Sequence, residues 1–393
     1  MATTSNNIPQ GYKATALGII PQEWEVKSLN KACDFLDSQR IPIKDSERAK
    51  ISGIYPYYGA SGIIDYVNNY IFNDDLILLA EDGANIINRS TPIAFLVNGK
   101  IWVNNHAHVL KAKPSFDRYY LCAYLESLKY DKYNTGTAQP KLNREVCEKI
   151  PILAPPLAEQ RKIAEVLGVW DEAIEKQARL IEKLALRKRG LMQRLLSAKL
   201  RLPGFSEPWK THKLQELFTE RNETNRTDLP LLSITGDRGV ILQTESEKRD
   251  TSNDDKSKYK RIAKGDIGYN TMRMWQGRSA LSGLEGIVSP AYTIVVPNTD
   301  VDGYYMSVLF KHPRLIYDFW THSQGLVGDT LNCKYRDFGQ VHICCPPLAE
   351  QKAITEVLTA ADREIELAKE KLERLRRQKR GLMQQLLTGK KRI

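Results

Sequence analysis

Residues Pro155-Pro156-Leu157-Ala158-Glu159-Gln160 return as Pro346-Pro347-Leu348-Ala349-Glu350-Gln351, an offset of 191 residues (346 − 155). The agreement continues downstream. Ile163, Val166, Leu167, Asp171, Ile174, Glu175 and Leu184 recur as Ile354, Val357, Leu358, Asp362, Ile365, Glu366 and Leu375. Arg189-Gly190-Leu191-Met192-Gln193 recurs as Arg380-Gly381-Leu382-Met383-Gln384. An internal repeat dictates architecture before any local signal does. This one divides the chain into two similar halves, each ending in the same long segment.

Both segments carry a heptad. Ile163, Leu167, Trp170, Ile174, Ile181, Leu184, Leu191 and Leu195 follow one another at coiled-coil spacing. Ile354, Leu358, Ala361, Ile365, Ala368, Leu372, Leu375, Leu382 and Leu386 hold the same register. Alternating steps of four and three mark a coiled-coil seam. The seam is broken at Gln177 and, in both copies, at a lysine: Lys188 and Lys379. A polar seam residue either fixes register or carries its head out to water along an apolar stem. The proline pairs suit helix starts, where the missing N–H has no partner to lose. Each helix then runs about 40 residues, or ~60 Å. A helix that long needs packing to persist, and the economical partner is its own repeat, antiparallel. The expected form is a rod with a globular unit near each end.

Between the repeats lie two α+β units. Strands are expected at Leu76–Ala80, Ile93–Val97 and Ile101–Val103, with a helix near Tyr119–Leu128. The second unit offers strands at Leu231–Ile234, Gly239–Leu242 and Tyr292–Val296, with a helical stretch near Tyr304–Trp320. Both open alike, with Gly18, Pro21, Trp24 and Leu29 against Gly204, Pro208, Trp209 and Leu214. Asn105-His106-Ala107-His108 matches Ser289-Pro290-Ala291-Tyr292, and the Gly136–Asn143 loop matches Gly325–Asn332. Elsewhere the halves diverge, as two differently specific readers on one scaffold would.

The net charge of +11 favours an anionic partner, nucleic acid above all. No run approaches the ~18 apolar residues of a membrane span, and the polar Met1–Gln10 is no signal peptide. The six cysteines show no C-x-x-C spacing, which fits a reducing cytoplasm. No phosphate-binding loop or nucleophile elbow is present. His106 and His108 lack a third metal ligand in sequence and read as packing residues; Glu81-Asp82 reads as a turn before Gly83. An enzyme with an unfamiliar site and a protein-only coiled-coil adaptor remain the alternatives to a binder of nucleic acid.

The segment best suited to reading bases is Tyr269–Arg278, with Arg273, Trp275, Gln276 and Arg278 close together between glycines. Arginine pairs bidentately with guanine and glutamine with adenine, and aromatics stack or wedge. The alternative is a core tryptophan flanked by exposed arginines. Arg221, Asn222, Arg226 and Arg238 are further candidates. In the first unit the equivalent is Arg40–Ile63, where Arg48, Lys50, Tyr55, Tyr57, Tyr58, Gly59 and Ser61 suggest an aromatic, Gly-flanked loop. Tyrosines pack in cores as readily. Lys141, Asn143 and Arg144 suit phosphate contacts.

The doubled Pro-Pro-Leu-Ala-Glu-Gln helices, the Trp24 and Trp209 openings, Tyr57–Ile63 and Met272–Gly277 together resemble the DNA-specificity subunits of type I restriction–modification systems. The resemblance spans essentially the whole chain. It implies target recognition domains at 1–155 and 200–346, joined by conserved-region helices at 156–199 and 347–393. Each domain would read one half of a bipartite double-stranded DNA site. Contacts are then expected from Tyr57, Tyr58, Ser61, Lys141, Asn143, Arg221, Arg238, Arg273, Trp275, Gln276 and Arg278. The helices would also dock two modification subunits, which methylate adenine with S-adenosylmethionine. Restriction subunits using ATP and Mg²⁺ would complete the enzyme. This chain itself would hold no cofactor. The Trp275 stretch has no counterpart in the first unit, so the two half-sites are expected to be unrelated.

Overall fold

The computed structural model describes residues 8–236, 238–246, 254–325 and 330–393. Residues 326–329 of the second Gly-rich loop therefore lie outside the described residues. The chain forms two compact units, one of Met1–Ala178 with Glu370–Ile393 and the other of Arg179–Lys369. The long helices are Leu157–Leu195 and Leu348–Leu386, each of 39 residues. Each helix is divided between the units near its middle. The sequence division at 155, 199 and 346 set the helices apart from the globular units. In the structure their ends instead belong to the globular cores, because apolar seam residues pack directly onto them. Ile163, Leu167, Leu386 and Leu387 lie in the unit 1 core, and Leu195, Leu196, Ile354 and Leu358 in that of unit 2.

Within each unit the start of one long helix pairs with the end of the other. In unit 1 Lys379 crosses to Asp171 at 2.5 Å, and in unit 2 Lys188 crosses to Asp362 at 2.5 Å. Tyr119 donates its hydroxyl hydrogen bond to Asp171, and Tyr304 donates to Asp362 at 2.6 Å. The described seam residues Ile163 to Leu195 and Ile354 to Leu386 are all buried or half-buried, Gln177 included.

The repeated Glu-Gln fastens each helix start to its unit. The buried Glu159 accepts from Trp24 Nε1 at 2.9 Å and from Arg392 Nε at 2.5 Å. Glu350 accepts from Trp209 Nε1 at 3.2 Å and from Arg201 Nε at 2.6 Å. Gln160 and Gln351 accept from the backbone N–H groups of Asp117 and Asp302, each at 2.9 Å. Those aspartates in turn cap the helices Arg118–Ser127 and Gly303–Leu309, accepting from Tyr120 and Tyr305. A buried carboxylate is tolerable only when paired and hydrogen-bonded, and this motif supplies both conditions twice.

The central sheets share one topology. In unit 1 the order is Cys33–Phe35, Ala107–Ala112, Leu76–Ala80, Ala94–Val97, all antiparallel. In unit 2 it is Phe218–Glu220, Tyr292–Pro297, Ile267–Asn270, Ser279–Leu281, again antiparallel. Leu76–Ala80 is buried at every position, as a central strand covered on both faces must be. Unit 1 adds a second sheet in which Ser52–Gly59 runs parallel to Lys100–Val103.

Two expectations change. Tyr57-Tyr58-Gly59 is not a loop: it ends the strand Ser52–Gly59, which turns at Ala60-Ser61 into Gly62–Val67. The stretch Tyr304–Trp320 is two helices, Gly303–Leu309 and Pro313–His322. The break is at His312, held extended (φ −72°, ψ 132°) because the following proline ring excludes it from helical backbone.

Candidate nucleic-acid interface

In unit 2 the segment Thr271–Arg278 leaves the end of the central strand Ile267–Asn270. The Thr271 N–H donates to the Ala291 carbonyl at 3.1 Å, and the Thr271 carbonyl accepts from Cys333 at 2.8 Å. A short turn of 3₁₀ helix, Met274–Gln276, is closed by Gly277 at φ +71°, a conformation that favours glycine. The anchor of this loop is Met274, fully buried, rather than Trp275. Trp275 is half-buried, its Nε1 donating to the Met272 carbonyl at 3.0 Å.

Arg273, Gln276 and Arg278 are exposed. Gln276, Gly277 and Arg278 line an open concavity of about 460 Å³ with Gly236, Lys311 and Ile316. A side chain at position 236 would sit 2.5 Å from Arg278 Nη1, so glycine makes room for that guanidinium. Burial, with the neighbouring Lys188 charge, holds the Lys311 ammonium below its usual pKa. Sequence reading missed Lys311, which arrives from the turn between two helices.

Arg221, expected to contact DNA, and the further candidate Arg226 are engaged elsewhere. Arg221 places Nε and Nη2 on the buried Asp266 at 2.7 and 3.2 Å, so it braces the sheet edge. Arg226 is forked onto Asp228. Arg238 is exposed and donates to the Glu245 carbonyl at 2.9 Å.

Unit 1 has a loop in the same topological place, and it is not Arg40–Ile63. It is Glu81–Asn85, which leaves the strand Leu76–Ala80. The Glu81 N–H donates to the His106 carbonyl at 2.9 Å, and the Glu81 carbonyl accepts from Leu142 at 2.7 Å. These are the bonds that Thr271 makes in unit 2. The Trp275 loop thus has a structural counterpart that shares none of its residues, which is why sequence alone paired it with the wrong segment.

Around this loop Ser61, Ile63, Ile64, Asp82, Asn85, Asn104 and His106 border an open concavity of about 520 Å³. His106 Nδ1 lies 2.8 and 3.0 Å from the two Asp82 carboxylate oxygens. Glu81 receives Arg40 at 2.7 Å and Lys141 at 3.4 Å. Of the expected residues, Ser61, Lys141 and Asn143 are exposed, and Tyr58 is half-buried against Phe95. Tyr57 is only 1% exposed, under the Arg48 guanidinium, and offers no free surface.

His108 is internal, with Nδ1 2.7 Å from Asp37 and Nε2 2.7 Å from the Leu142 carbonyl. Burial opposes its charging, but hydrogen bonds to Asp37 and Cys147 outweigh that and push its pKa up to about 10. Among the described residues no group of three or more His, Cys, Asp or Glu side chains is placed to hold a metal ion. No described helix is long and apolar enough to cross a membrane.

Two α+β units of one topology, each presenting a different polar loop from the same strand end, define a doubled binding protein. Residues 21–185 match the family described as type I restriction modification DNA specificity domain. The chain is 25% identical to the type I restriction enzyme MjaVIII specificity subunit of Methanocaldococcus jannaschii, across 95% of this chain and 94% of that one. It is 37% identical to a putative type I restriction enzyme specificity subunit of Haemophilus influenzae, over 37% of each protein. The crystal structure of a type I restriction–modification S subunit from M. genitalium shares the fold, with a TM-score of 0.56, 14% identity and 98% of each chain covered. Across nearly its whole length the chain is thus similar to specificity subunits of type I restriction–modification systems, and residues 21–185 match their DNA specificity domain.

Proposed function

We propose that this chain chooses the DNA sequence for a type I restriction–modification complex. Unit 1 reads one half of a bipartite double-stranded site and unit 2 the other. The paired helices set the spacer and dock two modification subunits. Those partners bind S-adenosylmethionine and methylate adenine; restriction subunits bring ATP and Mg²⁺. The complex works in the cytoplasm. One observation carries this reading: the two units share strand order and loop origin, yet one loop is acidic and holds a neighbouring histidine while the other is Arg- and Gln-rich. A common scaffold with unlike reading loops suits two unlike half-sites, whose separate readouts multiply specificity. The net charge of +11 supports the anionic partner.

The test exchanges residues 200–346 for those of another family member in a host carrying the complete system, followed by methylome sequencing. One half-site should change, with the other half-site and the spacer retained. A change in both halves would rule out independent readers. DNA methylation or cleavage by the purified chain alone would overturn the assignment of catalysis to the partners.

A further inference from the structure

We infer that His106, oriented by Asp82, is a specificity-determining residue of unit 1 that meets a base edge of the first half-site. The inference deepens the reading above and rests on it.

The place comes from topology. Unit 2 offers Gln276 and Arg278, both with base-reading chemistry, on the loop that follows its central strand. The same strand end in unit 1 carries Asp82, and His106 lies across the ladder from it through the Glu81–His106 backbone bond. His106 is thus where the shared scaffold delivers a reader.

The chemistry comes from the ring. Both Asp82 oxygens lie on Nδ1, which fixes the proton there and sets the plane of the imidazole. The backbone holds it too: the His106 N–H donates at 2.8 Å to Oδ1 of the buried Asn104, whose own N–H donates to the Tyr58 carbonyl at 3.0 Å. Half of the His106 side chain is exposed, and Nε2 has no partner among the described residues. His108, two residues on, has both ring nitrogens occupied inside the core. The surrounding wall is low at Gly62 and Gly83, both at positive φ, so a base edge can approach closely. A neutral ring held this way accepts at Nε2 from the amino group of adenine or cytosine. A charged ring donates to guanine N7 or O6.

The test uses the chain assembled with the modification subunits of its own system. Binding is measured to duplexes carrying each single base-pair change in the recognition site. Wild type should reject changes in the first half-site by roughly tenfold or more per position. In His106→Ala, discrimination should fall to within about twofold at one position and persist at the others. Asp82→Asn should weaken discrimination at the same position. The base pair affected reports whether the ring is neutral or charged. Thermal melting confirms that each variant is folded.

Discrimination unchanged at every position in folded His106→Ala would overturn the inference. So would an equal fall at all positions, or a variant that unfolds while Asp82→Asn folds with full discrimination. A wild-type complex that distinguishes no half-site would instead sink the underlying DNA-reading proposal.

Discussion

Ala198 and Gly389 hold the same place in the repeat, just past the ends of the two long helices. Both take left-handed backbone, with φ of 59° and 71°. That conformation costs a residue bearing a Cβ about 1–2 kcal/mol, part of which glycine returns through its larger unfolded-state entropy. Ala198→Gly should therefore raise stability by about 0.5–1 kcal/mol in urea titrations. Gly389→Ala should lower it by more than that, because a Cβ there meets Pro21 Cδ at 2.4 Å.

A second residue-scale effect belongs to His108. Its folded pKa of about 10 stands above the ordinary ~6.5. The His108–Asp37 pair therefore stabilises fully below pH ~6.5 and loses its contribution as pH rises through 10. On the acid side, burial of Asp37 is outweighed by its bonds to His108 and Val109, and its carboxyl is held low. That contribution disappears as pH falls through the lowered pKa. Urea midpoints of wild type minus His108→Gln should shrink between pH 6.5 and 10, and the difference cancels the common effect of the buried thiols. A constant difference across that window would contradict the assignment.

At the scale of elements, the seam lysines left two readings open in the sequence, and the geometry distinguishes them. Neither runs free to water. Lys188 and Lys379 each reach the repeat's own aspartate on the facing helix. A one-heptad slip in either pairing would separate lysine from carboxylate and bury the ammonium among leucines, so these pairs specify register more than they stabilise. The aspartates are 42% and 45% exposed, which limits each coupling to about 0.5–1 kcal/mol. A double-mutant cycle on Asp171→Asn and Lys379→Met should read a coupling in that range. Charge reversal of both residues together should recover most of the loss from Lys379→Asp alone.

For the molecule as a whole, sequence was most informative where periodicity repeats. The heptad and the proline pairs located both helices to within a few residues, because an apolar period of 3.5 residues kept up over ten turns suits a helix packed along a seam and little else. Short apolar runs such as Leu76–Ala80 located central strands. The candidate reading loops were less legible for a physical reason: their scaffold is shared but their side chains are not. Asp82 looked like a surface turn and His106 like packing, since only the backbone bonds of Glu81 reveal their equivalence to the Trp275 loop. Arg221 shows the converse. Its residue type suggested a contact, and a buried carboxylate 45 residues away in sequence took it.

Unit 2 is one unbroken stretch, whereas unit 1 needs both Met1–Ala178 and Glu370–Ile393. Gly389 and Arg392 complete it, reaching the Tyr12 hydroxyl at 3.2 Å and Glu159 at 2.5 Å. During synthesis the residues translated first must therefore wait, with Trp24 and its neighbours uncovered, until residues 370–393 leave the ribosome. The later half can close before them. A message broken in the second long helix after Lys369 would leave the contiguous unit able to form and the opening unit exposed. Such a product carries an apolar surface by which quality control can recognise it, so a chain with only its later unit formed would be removed rather than accumulate.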